Sequence, residues 1–170
     1  MTVRAKRTGL NKMAEKRKEL IELNWGEDFE SLPLWDRKVD NGFSTVPRTL
    51  PYICRVLERF AEKGRPLSQT YIALWCRMSD EGLIEIREKE ALAYEAGFSG
   101  SRAVTTWASR MKILAQEGFI DCRSGTSGDF HYTLMLHPLK VIKEKYDGKT
   151  LDDDYRRLVA RMSDVGASWE

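Results

Sequence analysis

Only three cysteines and two histidines occur in the 170 residues, and the cysteines (Cys54, Cys76, Cys122) are odd in number and far apart. That count argues against a disulfide scaffold. With no CxxC pair, and with His131 and His137 completing no zinc spacing, it also argues against a zinc module. The expectation is reduced, buried thiols and a cytoplasmic protein. No apolar run approaches the roughly 20 residues of a membrane helix, and Arg4, Lys6 and Arg7 lead into no apolar stretch of the signal-peptide kind. Internal repeats and low-complexity tracts are missing too. No Ser-His-Asp, Cys-His or paired-acid arrangement is local in the chain, so the sequence predicts no enzyme, no cofactor and no metal site. The acids of "LDDDYRR" (151–157) stand at a helix start, where they complement the macrodipole. "GTSG" (125–128) lacks the Gly-Lys-Ser/Thr that a phosphate loop needs.

What is present points to a folded domain. Hydrophobic residues make up 42% and aromatics 10%, with five tryptophans, enough for one domain with a proper core plus extensions. The formal charge is only +2, but it is unevenly spread. Residues 1–18 hold Arg4, Lys6, Arg7, Lys12, Lys16, Arg17 and Lys18 against Glu15 alone, a net of +6 that leaves the rest of the chain net negative. A polyanionic partner would therefore be met by local patches, among them this N-terminal arm.

Periodicity and punctuation divide the chain. Residues 1–47 read as a basic arm and a helix over 10–24, followed by an irregular segment whose Trp25, Phe29, Leu34, Trp35 and Phe43 are expected to anchor it across the core. Residues 48–137 read as a helix ending near Gly64, a helix opened by Ser68 as its cap, a short strand at "LIEI" (83–86) and a compact helix closed by Gly97. A longer helix over 101–118 follows, with Ser101 as cap, and then a β-hairpin turning around Gly125 and Gly128. Residues 138–170 hold two further helices, one at "PLKVIKEKY" and one at "LDDDYRRLVARM". The fold class is mainly α, of α+β type.

The most informative stretch is "AGFSGSRAVTTWASRMKILAQ" (96–116). It runs 21 positions without a carboxylate, where 26 acids in 170 residues would place about three. At about 100° per residue, Val104, Trp107, Ala108, Met111, Leu114 and Ala115 share one arc, and Arg102, Thr105, Thr106 and Ser109 face the other way, with Ile113 near the far end of that outward side. An outward face of hydroxyls and arginine, free of acids, suits a DNA major groove, where Arg pairs with guanine O6 and N7 and Thr meets thymine methyls or phosphates.

The order of elements, with Leu92-Ala93, Ala96-Gly97-Phe98-Ser99 and Leu114-Ala115-Gln116-Glu117-Gly118-Phe119-Ile120, resembles the winged helix–turn–helix superfamily of DNA-binding domains over about residues 67–137. Leu92 to Gly118 is longer than in the commonest winged-helix patterns by about one helical turn. The resemblance implies a β-hairpin wing and sequence-specific binding of double-stranded DNA, as a transcriptional regulator or as a replication or partition protein of a mobile element. Expected DNA-contact residues are Ser99, Ser101, Arg102, Thr105, Thr106, Ser109, Arg110 and Lys112 on the helix side. Arg123, Ser124, Thr126 and Ser127 join them at the wing, and Arg4, Lys6 and Arg7 in the arm. The alternative is a winged domain that serves protein interaction without DNA, its terminal helices offering surfaces for a homodimer or another partner.

Overall fold

A computed structural model describes residues 3–169 of the chain, with side chains from residue 12 onward. They divide into two compact units, residues 1–42 and residues 43–170. No described helix is long and apolar enough to cross a membrane.

The first unit holds helix α1 (Val3–Trp25) and a short 3-10 turn (Gly26–Ser31). The basic arm is thus the opening of a helix. Trp25, Leu34, Trp35 and Phe43 are all 46–61% exposed. None of residues 12–42 is buried. Glycine, proline and acids such as Glu27, Asp28 and Asp36 interrupt the aromatics, so no continuous apolar face forms.

The second unit is α+β, with six helices and a small antiparallel sheet: α2 (Leu50–Leu57), α3 (Ser68–Arg77), β1 (Leu83–Glu85), α4 (Lys89–Glu95), α5 (Ala103–Gln116), β2 (Ile120–Gly125), β3 (Gly128–Met135), α6 (Pro138–Tyr146) and α7 (Asp153–Val165). The sheet order is β1-β3-β2. Register places Ile84 opposite Thr133 and Cys122 opposite Thr133 on the core side, and Leu83 opposite Leu134 on the outer side, as strand alternation demands. Gly125 pairs with Gly128, leaving Thr126 and Ser127 as a two-residue turn. A Cβ on Gly125 would stand 2.4 Å from the His131 ring, so only glycine fits there.

Two expected caps are not formed, and one of them is replaced by a longer-range partner. Neither Ser68 nor Ser101 caps its helix: α3 begins after Leu67, α5 begins after Arg102, and neither has a side-chain cap. At α3 the role falls to Glu58, just past the end of α2. Its carboxylate accepts from the Leu67 amide at 3.1 Å and the Ser68 amide at 2.8 Å, and it also accepts from the Ser68 hydroxyl. One acid satisfies two orphan amides of the first turn and locks the α2–α3 turn. At the other end of the chain Asp152 caps α7, accepting from the Tyr155 amide at 2.9 Å, and Asp154 within the first turn pairs with Arg59.

The core runs from Ile53, Val56 and Leu57 on α2 through Tyr71 and Leu74 on α3 to Leu92, Trp107, Met111, Leu114 and Phe119, all at most 1% exposed. The two C-terminal helices are part of it. Ile142 and Leu158 are fully buried, and α7 packs along α2, so residues 138–169 share one core with 48–137.

Trp107, with no exposed surface, meets Phe130 of β3 edge-on, 5.6 Å between ring centroids. Replacing it with alanine should cost about 3–5 kcal/mol of stability by denaturant unfolding. Trp107→Phe should cost far less, because the indole Nε1 has no hydrogen-bond partner to lose. A loss below about 1 kcal/mol for the alanine variant would overturn this packing account.

Candidate nucleic-acid interface

The exposed surface of α5 is narrower than the sequence predicts, and rotated. Arg102, Thr105, Lys112 and Gln116 are exposed and Ser109 is half-exposed. These five fall within roughly 80° of arc at about 100° per residue. Thr106 is half-buried beside them. In front of the helix, Ser99 and Ser101 are both exposed in the seven-residue turn, 96–102, between α4 and α5. No carboxylate stands on this face. Gln116 belongs to the face although its residue type alone gave no reason to single it out; the same arithmetic places it between Thr105 and Ser109.

Two expected members of the outward side are buried. Ile113 is only 8% exposed and belongs to the core cluster, because α3, α4 and β2 all pack on α5 and cover more than one of its sides. Arg110 is 7% exposed. Its Nε donates to the Pro66 carbonyl at 3.1 Å, and its guanidinium lies 5.6 Å from the centroid of the Phe98 ring. Burial, and after it the charge of Arg65, pulls its pKa below the ordinary arginine value. Arg110 therefore clasps the turn before α3 and the turn before α5, and it is not offered to a groove.

The hairpin tip divides likewise. Ser124 and Thr126 are exposed. Arg123 is 73% exposed, but its Nη1 donates to Asp121 at 2.6 Å and to the Cys122 carbonyl at 2.9 Å. Ser127 is a clamp within the fold. Its hydroxyl donates to the Ile86 carbonyl and lies 2.8 Å from Nδ1 of His131, to which its amide also donates at 3.3 Å. Nε2 of His131 stands 3.6 Å from Glu85. The row Ser127–His131–Glu85 has the residue types of a hydrolytic triad, but the serine proton is committed to a backbone carbonyl. The row pins the tip to the exit of β1.

A cation with no signal in the sequence lies at the same place. Lys89 Nζ is 2.6 Å from where a Cβ on Gly128 would stand. Only the folding of α4's first residue against the tip reveals it. The side chains of Arg4, Lys6 and Arg7 lie outside the described residues. Among the described residues no group of histidine, cysteine and acid side chains could hold a metal ion.

The two arginines of α5 should consequently behave oppositely in unfolding experiments. Arg110→Ala removes a buried, hydrogen-bonded charge and should lower stability by about 1.5–3 kcal/mol, whereas Arg102→Ala, on the exposed face, should change it by less than about 0.5 kcal/mol. Equal effects would mean that the exposed face is misplaced. Set against protein-family models, curated proteins and solved structures, the chain matches none, so the character of this face rests on its own geometry.

Proposed function

We propose that the second unit is a winged helix–turn–helix domain that binds double-stranded DNA sequence-specifically, as a transcriptional regulator. In this reading α5 enters the major groove and the β2–β3 tip rests on the backbone or in the minor groove. The observation that carries the proposal is the exposed face of α5, where Arg102, Thr105, Ser109, Lys112 and Gln116 stand together without a carboxylate. Support comes from the succession α3, β1, α4, α5, β2, β3 and from a sheet in which β3 lies between β1 and β2. Arg102 and Gln116 supply the bidentate hydrogen-bonding groups that distinguish guanine and adenine in the major groove. At the wing, Thr126, Ser124 and Lys89 are the better candidates for phosphate contact, since Ser127 is spent on the fold and Arg123 is shared with Asp121.

A second reading is a protein-interaction module. It is favoured by the exposure of Met13 (61%), Leu23 (81%), Trp25 (52%) and Val39 (75%) in the first unit. Selection of bound fragments from random duplex DNA separates the two. Recovery of a defined motif supports the first, and retention of no duplex at low salt removes it.

On a selected site, Arg102→Ala should weaken binding by about 1–3 kcal/mol and relax the preference at one base position. Unchanged affinity would remove Arg102 from the reading face.

The arm generates a separate expectation. Deleting residues 1–18 should weaken specific and non-specific binding alike, and should flatten the dependence of log affinity on log salt by about 0.9 for each phosphate that is no longer neutralised. Discrimination between sites should survive, because phosphate contacts position and base contacts specify. Parallel salt plots for the full-length and truncated chains would exclude the arm from the binding surface.

A further inference from the structure

The outer face of the sheet breaks the pattern of a sheet with one solvated side, in which apolar residues point inward and polar ones outward. In β3 an inward position is held by Thr133, fully buried, its hydroxyl donating to the Phe130 carbonyl at 3.1 Å. The outward positions are Tyr132 and Leu134, and Leu136 continues the alternation just past the strand. Leu83 of β1 pairs with Leu134 and adds a fourth apolar side chain to the same face. All four are 36–44% exposed. Single apolar residues on a surface need no explanation, whereas several gathered on one face mark an interaction site.

Charge indicates what covers this face. The register lays two rows across the sheet from β1 through β3 to β2, one of Leu83, Leu134 and Asp121, the other of Glu85, Tyr132 and Arg123. The second row carries a carboxylate on one flank of the apolar stripe and a guanidinium on the other. Both side chains are exposed, Glu85 at 41% and Arg123 at 73%. A partner of one sign would be attracted at one flank and repelled at the other. A second copy, turned by a two-fold axis close to the direction of β3, meets both. β1 of one copy then lies over β2 of the other, so Glu85 faces Arg123 twice, while Tyr132 and Leu134 face their own counterparts across the axis. Sheets packed face to face stand about 10 Å apart, a gap that a glutamate and an arginine bridge from opposite sides. Neither row sets like charges face to face, since Asp121 comes over Leu83 and already accepts from Arg123 Nη1 at 2.6 Å. Within each chain Glu85 also accepts from Arg87 at 3.0 Å. Pairs so exposed are worth little by themselves, so neither charge is withdrawn from a partner.

We propose that the outer face of the sheet is a self-association surface, at which two copies of this chain pack sheet to sheet. Leu83, Tyr132, Leu134 and Leu136 form its centre, and reciprocal Glu85–Arg123 pairs form its flanks. A three-stranded sheet offers a small area, so the interface falls in the class that buries less than about 1,200 Å², and its association is weak. No residue of the exposed α5 face belongs to it, so the proposal stands or falls independently of DNA binding.

Sedimentation equilibrium of the full chain, without DNA and at concentrations rising through the high micromolar range, tests it. A reversible monomer–dimer equilibrium is expected. Leu134→Asp puts two carboxylates on the axis and should weaken the dimer about tenfold or more, as facing like charges do. Arg123→Glu and Glu85→Arg should each weaken it as well, because each sets like charges opposite one another. Mixed in equal amounts, these two variants should associate with each other about as tightly as wild-type chains do, since every facing pair is again of opposite sign. Any local effect of a substitution on the fold is the same alone and in the mixture, so this recovery isolates the contact between copies. A chain that stays monomeric throughout the range, a dimer that Leu134→Asp leaves as tight as the wild type, or a mixture no tighter than either variant alone would each overturn the proposal.

Discussion

The burial of Trp107 against Phe130 is the contact on which the rest of the second unit depends. An indole of this kind removes about 150–250 Å² from water, which at about 25 cal/mol per Å² is worth roughly 4–6 kcal/mol. Its buried Nε1 finds no partner and costs about 1–3 kcal/mol, so shape outweighs the missing hydrogen bond. The same contact sets the rotation of α5 and ties that helix to the hairpin. Every statement about which side chains of α5 meet solvent follows from it, because a turn of one residue about the axis would exchange the exposed hydroxyls for buried apolar groups.

Around that contact, a few polar groups connect segments distant in sequence. Glu58 joins the end of α2 to the start of α3, and Arg110 reaches the carbonyl of Pro66. Arg59 on the turn after α2 meets Asp154 at the start of α7. Glu58 and Arg110 are partnered where water is largely excluded, and such groups specify one arrangement by making alternatives costly. The aromatic pairs Tyr71–Phe119 and Phe60–Phe119 fill the space between them.

Local signals carried much of the fold, and long-range ones explain what the sequence did not reveal. The hairpin was legible because Gly125 and Gly128 bracket two polar residues between alternating strands, and the inner arc of α5 because its apolar spacing is regular. Arg110 was not legible as a buried residue. On a helical wheel it stands about 40° from Leu114, at the margin where only the partner across the turn decides, and that partner is 44 residues away. Ser68 and Ser101 looked like caps by residue type, but Glu58 had already taken the first role from ten residues upstream. Ser127 read as a free hydroxyl until the fold brought Ile86 and His131 to it.

The sheet's brevity has a consequence for the protein in concentrated solution. Both outer strands present backbone donors and acceptors to which a strand from another molecule could add. One of them, β1, is only three residues long, and the register of the other, β2, is broken between Arg123 and Gly125 beside the Arg123–Asp121 pair. Short, charged and irregular edges are poor templates for growth, so the folded chain carries its own protection against edge-to-edge aggregation.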